Sequence, residues 1–337
     1  MSSTKESVIM KLSTLLLTSV ALPATAFVSS RSRLHKPILN PQTRSSFSIH
    51  ENAFNPIPST SLSKRQLSTS SIVESVSSIG NSLLSSTGPV PLNLALTLNV
   101  FLFTVLRSKL LKMLTPQGML HACALGSGLW ATLGWKGWTL CVAYLFFGSA
   151  VTKVKFAEKE KRGIAEGRGG RRGPENVWGS AATALMCAIC AARGESFLGI
   201  SSNLFILGFV ASLATKLSDT FASEIGKAYG KTTFLITTLE RVEPGTEGAV
   251  SAEGTAASVV GGLLVSLYGW SIGMISMKAI PVSVFAAFVA TNIESVLGAT
   301  LQGKKNLEWI TNEVVNFINT LIGGALAIAI GRAFLSI

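Results

Sequence analysis

Residues 204–233 read LFILGFVASLATKLSDTFASEIGKAYGKTT and join an apolar run directly to a charged segment. The apolar start favours a membrane helix. Asp219 and Glu224 follow at once, where a carboxylate is costly unless it meets a cation. Because Lys227 and Lys231 come next, the pattern predicts a site that holds a metal-bound anion at the membrane surface. We expect the fold to gather around this segment.

The composition of the whole chain indicates a membrane protein. Of 337 residues, 48% are hydrophobic and only 14% are charged, which is too apolar for a soluble domain. The net charge of +12 does not indicate nucleic-acid binding, since the basic residues lie in short loops without interleaved aromatics. We therefore predict an all-α, polytopic bundle of about seven to eight transmembrane helices within residues 76–337.

Eight apolar runs are candidate spans. They are residues 90–106, 118–135, 137–151, 177–192, 198–214, 254–272, 279–299 and 314–334. If these runs cross in turn, 17 basic residues fall in the loops of one side and 4 in those of the other. This asymmetry predicts that the basic side faces the stroma or cytosol. The loops that carry most of the polar candidates share that side.

The chain begins with two segments that are typical of targeting. Residues 1–26 place Lys5 and Lys11 before an apolar stretch and an Ala-Thr-Ala end, as in a signal peptide. Residues 27–75 are rich in Ser, Thr and basic residues, as in a plastid transit peptide. Together they predict import into a plastid membrane of an alga with secondary plastids. A secreted protein with a disordered tail is the alternative.

The basic segment 167–174 reads GRGGRRGP and leads into the fourth span. Pro174 suits the first turn of a helix, and a helix N-terminus beside Arg171 and Arg172 favours phosphate. An ordinary basic loop made flexible by glycine is the alternative. Histidine chemistry is disfavoured, because His121 alone lies beyond the leader. The four cysteines lie in apolar runs and are interpreted as core residues.

Asp219 and Glu224 form the strongest pair, although five residues on one helix place them about 140° apart. They can share a face only if the chain breaks between them or Asp219 caps the helix. A salt bridge from Glu224 to Lys227 would also explain their spacing. Residues 226–232 lack the glycine spacing of a P-loop, so a Walker A site is excluded.

Two further carboxylates and an asparagine stripe lie at the membrane boundary or inside spans. Glu253 and Glu294 are costly there unless a cation such as Mg²⁺ meets them. Asn312 and Asn316 recur with Asn319 on one helix face. Packing and interhelical hydrogen bonds are the alternative for all of them.

Several blocks in the same order resemble a family of polytopic membrane proteins whose plant member is the plastid phytyl-phosphate kinase of vitamin E and phylloquinone synthesis. The blocks are GRRGP at 170–174, GFVAS at 208–212, SDT at 218–220, SEIGKAYGKTT at 223–233, GTEG at 245–248, EGT at 253–255, ES at 294–295, GA at 298–299 and VVN at 314–316, with Ser251 and Asn312. The resemblance covers residue 168 to the C-terminus.

The resemblance implies transfer of a phosphoryl group from a nucleoside triphosphate, expected to be CTP, to phytyl monophosphate. Such a reaction needs Mg²⁺, cations around the phosphates and exact positioning of the two substrates. The expected roles are catalysis by Asp219, Glu224 and Lys227; Mg²⁺ binding by Asp219, Glu224, Glu253 and Glu294; phosphate binding by Arg171, Arg172, Lys231, Gly245 and Thr246; and polar support by Asn312 and Asn316. The isoprenoid tail would stay in the lipid bilayer or in a groove between helices.

Two other function classes remain open. Intramembrane carboxylates also suit a transporter, although no inverted repeat relates the two halves of the chain. A different isoprenoid or lipid phosphotransferase, or a cytidylyltransferase, would use similar groups. Release of diphosphate from CTP would identify cytidylyl transfer.

Overall fold

The computed structural model describes residues 88–305 and 307–335, which form a mostly helical integral membrane protein. The predicted signal peptide, 1–26, and transit peptide, 27–75, lie outside the described residues. In chain order the elements are α1 Leu92–Val105, α2 Arg107–Leu110, α3 Pro116–Thr152, α4 Phe156–Lys161, a 3₁₀ turn Gly167–Gly170, α5 Pro174–Ala192, α6 Ser202–Tyr229, β1 Phe234–Leu235, β2 Ala249–Val250, α7 Ala252–Ser271, α8 Ala279–Leu301 and α9 Asn312–Phe334.

Each of the eight predicted apolar runs overlaps one of these helices over most of its length. In the described part of the chain, α6, α8 and α9 are long and apolar enough to cross a membrane. These three helices support the membrane fold, whereas seven to eight crossings stay a prediction. Among the described residues, the short antiparallel pair β1–β2 departs from an all-α fold and closes a loop between α6 and α7.

The predicted second and third spans are the two arms of α3. This helix has 37 residues and would be about 55 Å long if it were straight. Gly134 breaks it with φ 61° and ψ −154°, a conformation that only glycine adopts readily. Gly118 packs against the backbone of Arg172 and Gly148 packs against its guanidinium. Because opposite ends of α3 reach one residue, the arms fold back as a helical hairpin.

Helix α6 is the central element of the fold. It packs against α3, α5, α7, α8 and α9, and 83% of its apolar window is buried inside the protein. The predicted span ended at residue 214, which is wrong, and the alternative in which Asp219 caps a helix is wrong as well. The helix runs unbroken to Tyr229, because neighbouring helices supply partners for its charged side chains.

Small residues allow the other helices to approach α6 closely. A β-carbon on Gly261 would lie 2.7 Å from the carbonyl oxygen of Leu217. A β-carbon on Gly323 would overlap the hydroxyl of Thr215. These contacts hold α7 and α9 against the charged half of α6, where the polar residues converge.

Candidate functional site

A polar cavity of about 310 Å³ opens at one end of the helical bundle. The N-terminal ends of α5, α7 and α9 meet there beside the C-terminal halves of α6 and α8. Three helix N-termini direct positive dipole ends toward this space, which favours an anion. The charged residues that line it are Glu166, Arg171, Arg172, Lys216, Asp219, Glu224, Lys227, Glu247 and Glu294.

The Lys216 ammonium lies at the centre of one polar cluster. It donates to the Asp219 carboxylate at 2.5 Å and to the Asn316 side-chain oxygen at 2.7 Å. Lys216 is only 8% exposed and Asp219 is equally buried. The Glu294 carboxyl of α8 faces this pair and Glu247. The carboxyl groups of Asp219 and Glu294 therefore both lie near a single ammonium group.

Glu224 belongs to a second cluster, on the opposite side of α6. It forms a buried ion pair with Lys159 of α4, whose ammonium also donates to the Thr152 carbonyl at 2.9 Å. Lys227 lies 4.0 Å from the other Glu224 oxygen, at the predicted same-face spacing. Since Asp219 and Glu224 both line the cavity, the cavity reaches more than one face of α6.

The basic wall of the cavity is formed by Arg171 and Arg172 just before α5. Arg168, Gly169 and Gly170 all have positive φ, from 56° to 76°, so the chain makes a left-handed turn there. Helix α5 then begins at Pro174, as predicted. The Arg172 guanidinium bonds the Tyr144 hydroxyl and lies 5.0 Å from the centre of that ring.

Tyr144 connects the basic wall to the acidic cluster, because it also lies close to Lys216. The groups thus follow one another from Arg172 through Tyr144 and Lys216 to Asp219 and Glu294. The charge changes from basic to acidic along this path. An anion that carries a divalent cation at one end matches such a gradient.

The loop 236–248 closes the acidic side of the cavity. Strand β1 pairs with β2, with Phe234 opposite Val250, and holds the two ends of the loop together. Gly248 has φ 77°, and a β-carbon there would lie 2.6 Å from the Ser295 carbonyl oxygen. This close contact with α8 places Glu247 near Glu294.

The structure brings most of the predicted site residues together. Those that line the cavity are Arg171, Arg172, Asp219, Glu224, Lys227, Gly245, Thr246, Glu294, Asn312 and Asn316. Lys231 is exposed and Glu253 is half-buried in the first turn of α7, and neither lines the cavity. The individual roles of all these residues stay predictions.

Sequence reasoning missed Lys159 and Lys216 as site residues, since both were counted as loop charges. Lys216 had a usable signal, because it lies three residues before Asp219 and that spacing places side chains together on a helix. Lys159 had none, since Glu224 lies 65 residues away.

The donor set fits a divalent cation at one place. Among residues 88–305 and 307–335 there is no group of three or more His, Cys, Asp or Glu side chains that could hold a metal. Asp219 and Glu294 nevertheless lie side by side, and Mg²⁺ in phosphate sites is held by one or two carboxylates with substrate phosphates and water. Glu224 and Glu253 do not join this pair.

Histidine and cysteine lie apart from the cavity. His121 accepts a hydrogen bond from the Trp178 indole at 2.9 Å, which is a packing role. Cys123, Cys141, Cys187 and Cys190 are free thiols on α3 and α5.

Comparison with known proteins identifies relatives in bacteria, plants and archaea. An uncharacterized membrane protein of Synechocystis is 55% identical over 237 residues, which cover 70% of this chain and 90% of that protein. The chloroplastic protein VTE6 of Arabidopsis thaliana is 43% identical over 68% of this chain and 69% of its own length. An uncharacterized membrane protein of Methanocaldococcus jannaschii is 30% identical over 64% of this chain and 85% of its own length. No solved structure matches the chain.

The family model for the integral membrane protein DUF92 matches residues 99–324. This range holds most of the described helices and every residue that lines the cavity. The chain is therefore a member of the DUF92 family of integral membrane proteins.

Proposed function

We propose that the protein is a membrane-bound kinase that converts phytyl monophosphate to phytyl diphosphate. A nucleoside triphosphate, with CTP as the expected donor, supplies the phosphoryl group, and Mg²⁺ is required. The product would feed tocopherol and phylloquinone synthesis. The resemblance of the sequence blocks to the plastid phytyl-phosphate kinase family supports this substrate. The 43% identity to a chloroplastic plant protein agrees with it.

One observation carries the proposal: a single cavity joins a basic wall to an acidic cluster at one end of a membrane bundle. Phosphoryl transfer requires cations around two phosphate groups and carboxylates for a metal ion. Arg171 and Arg172 would supply the cations, and Asp219 and Glu294 would supply the carboxylates. The substrate has a polar head on an apolar tail, so a polar cavity within a bundle of apolar helices suits both parts.

The reaction needs little from the protein besides position and charge. An oxygen of the acceptor monophosphate forms a bond to the γ-phosphorus, and the bond from that phosphorus to the β,γ-bridging oxygen breaks, which releases a nucleoside diphosphate. A phosphate monoester has a second pKa of about 6, so its attacking oxygen is already deprotonated at neutral pH. A general base is not required, and the cavity lining includes no histidine.

The basic residues and the acidic pair then have separate tasks. Arg171 and Arg172 would hold the acceptor phosphate, and Lys216 and Lys227 would face the phosphates of the donor. Asp219 and Glu294 would hold Mg²⁺, which when bound neutralises the phosphate charge and orients the transferred group. Asn316 keeps the Lys216 ammonium in place through its 2.7 Å hydrogen bond.

The membrane topology that we propose follows from the apolar segments and from the basic loops at the cavity end of the bundle. All eight apolar segments would cross the membrane, with the two arms of α3 as a pair. The cavity end of the bundle, which carries the basic loops, would face the stroma of a plastid in an alga with secondary plastids. Nucleotide would then reach the cavity from the stroma.

The direct test uses membranes from a heterologous host that expresses the full chain. They are incubated with phytyl monophosphate, Mg²⁺ and each nucleoside triphosphate in turn. We expect phytyl diphosphate and a nucleoside diphosphate in equal amounts. Release of inorganic diphosphate would instead identify nucleotidyl transfer, and no product with any nucleotide would refute the kinase.

The metal assignment is tested by substitutions that conserve size. Asp219→Asn and Glu294→Gln should raise the Mg²⁺ concentration needed for half-maximal activity by at least tenfold. Glu253→Gln is the matched control, because Glu253 is a carboxylate in the same end of the bundle but outside the cavity. An unchanged Mg²⁺ requirement in the first two variants would contradict the assignment.

A further inference from the structure

A second, smaller cavity adjoins the polar one and shares three lining residues with it. Arg172, Asn176 and Ser180 line both. From them the second cavity, here called the apolar groove, extends between α1, the two arms of α3 and α5. The two spaces therefore adjoin each other at the basic wall.

The walls of the apolar groove are hydrocarbon and aromatic beyond those three residues. Phe103 contributes from α1, Ala122 and Gly126 from the first arm of α3, and Cys141 and Leu145 from its second arm. Val142, also in the wall, is 41% exposed. The groove thus leads from the basic wall to the apolar outer surface of the bundle.

Arg172 stands where the two spaces meet. Gly148 leaves room for the guanidinium, since a β-carbon there would lie 2.5 Å from one of its nitrogens. The Tyr144 hydroxyl bonds the same group and fixes its direction. An anion bound to Arg172 would have the polar cavity on one side and the apolar groove on the other.

We infer that the apolar groove holds the isoprene units next to the phosphate of a long-chain prenyl monophosphate, with that phosphate on Arg172. This inference rests on the proposed kinase function and assigns the acceptor to one place in the site. The nucleotide then takes the opposite, acidic end near Asp219 and Glu294. The remainder of the tail leaves along the exposed face at Val142 and lies in the bilayer.

The groove orients the substrate and adds little affinity. The tail is already surrounded by lipid, which is as apolar as the groove, so its transfer gains little hydrophobic free energy. A rigid groove nevertheless fixes the direction in which the phosphate enters the cavity, and such alignment accelerates transfer. A blocked groove should therefore lower kcat/KM for the prenyl monophosphate and leave the KM for nucleotide unchanged.

Ala122→Phe fills the groove from a half-buried position on α3. We expect it to lower kcat/KM for a C20 prenyl monophosphate at least tenfold, with the KM for CTP unchanged. Ala124→Phe is the matched control, because Ala124 is also half-buried on α3 but lies outside the groove. Equal kinetics of Ala122→Phe and the wild-type protein would overturn the inference.

A binding experiment tests the groove without turnover. Membranes with the full chain are photolysed with a C20 prenyl monophosphate that carries a diazirine on its second isoprene unit. We expect labels near Phe103, Ala122 and Cys141 that excess unlabelled C20 monophosphate suppresses. Labels confined to other helices, or labels that do not compete, would overturn the inference.

The two experiments separate the inference from the proposed function. If no nucleotide gives a diphosphate but the competed labels map to the groove, the kinase is refuted and the prenyl site stands. If the diphosphate forms while the labels map elsewhere, the kinase stands and the groove assignment fails.

Discussion

Removal of the Lys216 ammonium should destabilise the protein strongly. Much of the lost stability should return when its partner Asp219 is made neutral as well. Lys216 lies 2.5 Å from the Asp219 carboxylate and 2.7 Å from Asn316. In Lys216→Met the Asp219 carboxylate stays buried beside Glu294 and has lost its ammonium partner.

The magnitude follows from the burial of the pair. The two side chains are only 10% and 11% exposed, so removal of one partner should cost about 3–5 kcal/mol. In Lys216→Met/Asp219→Asn the remaining amide is neutral, and we expect at least half of that loss to be recovered. The coupling free energy of the cycle should therefore exceed about 1.5 kcal/mol.

The assay is unfolding of the purified protein in mixed detergent micelles by SDS, followed by tryptophan fluorescence, for the wild type, both single variants and the double variant. The ion pair would be refuted if the unfolding free energies lost in the two single variants add up to the loss in the double variant within about 0.5 kcal/mol. The kinase assay separates stability from function. The double variant should be folded but inactive, because Asp219 is a proposed Mg²⁺ ligand.

Two glycines give contrasting predictions. Gly323→Ala should lower the free energy of unfolding by about 1–3 kcal/mol, because its β-carbon would overlap the stiff side chain of Thr215. Gly324→Ala is the control, since its β-carbon would lie 3.3 Å from its nearest neighbour. Equal midpoints of SDS unfolding for the two variants would contradict the packing argument. Gly148→Ala should leave stability within about 0.5 kcal/mol of wild type but lower kinase activity at least tenfold, because its β-carbon displaces the flexible end of Arg172. Wild-type activity in Gly148→Ala would contradict the proposed role of Arg172.

Apolar runs were sufficient to locate the helices, because a segment that must satisfy its backbone within lipid has few alternatives to a helix. They were insufficient at α6, where the hydropathy falls after residue 214 and the helix does not end. Lys216 and Asp219 neutralise each other there, and Glu224 meets Lys159. A hydropathy scale assigns each charged residue the same value whatever its partners are. It therefore cannot detect a charge that another helix neutralises.

The residues of the site were easier to predict than its shape. The chain order and the loop charges placed the polar segments at one end of the bundle, and ten of the predicted residues line the cavity. The spacing of Asp219 and Glu224 predicted that they lie on different faces of one helix. Their partners were not predictable, because these depend on α4 and α9 approaching α6 from different sides. The apolar groove depends on the fold of α3 at Gly134, and no motif marks it.

The central position of α6 has a consequence for biogenesis. Its Lys216 obtains the Asn316 oxygen only from the last helix, 100 residues later in the chain. During synthesis Lys216 therefore lacks this second hydrogen-bond partner until α9 has been made. Maturation is completed by the C-terminal segment, and a chain that stops before residue 312 should be recognised by membrane quality control as unfinished.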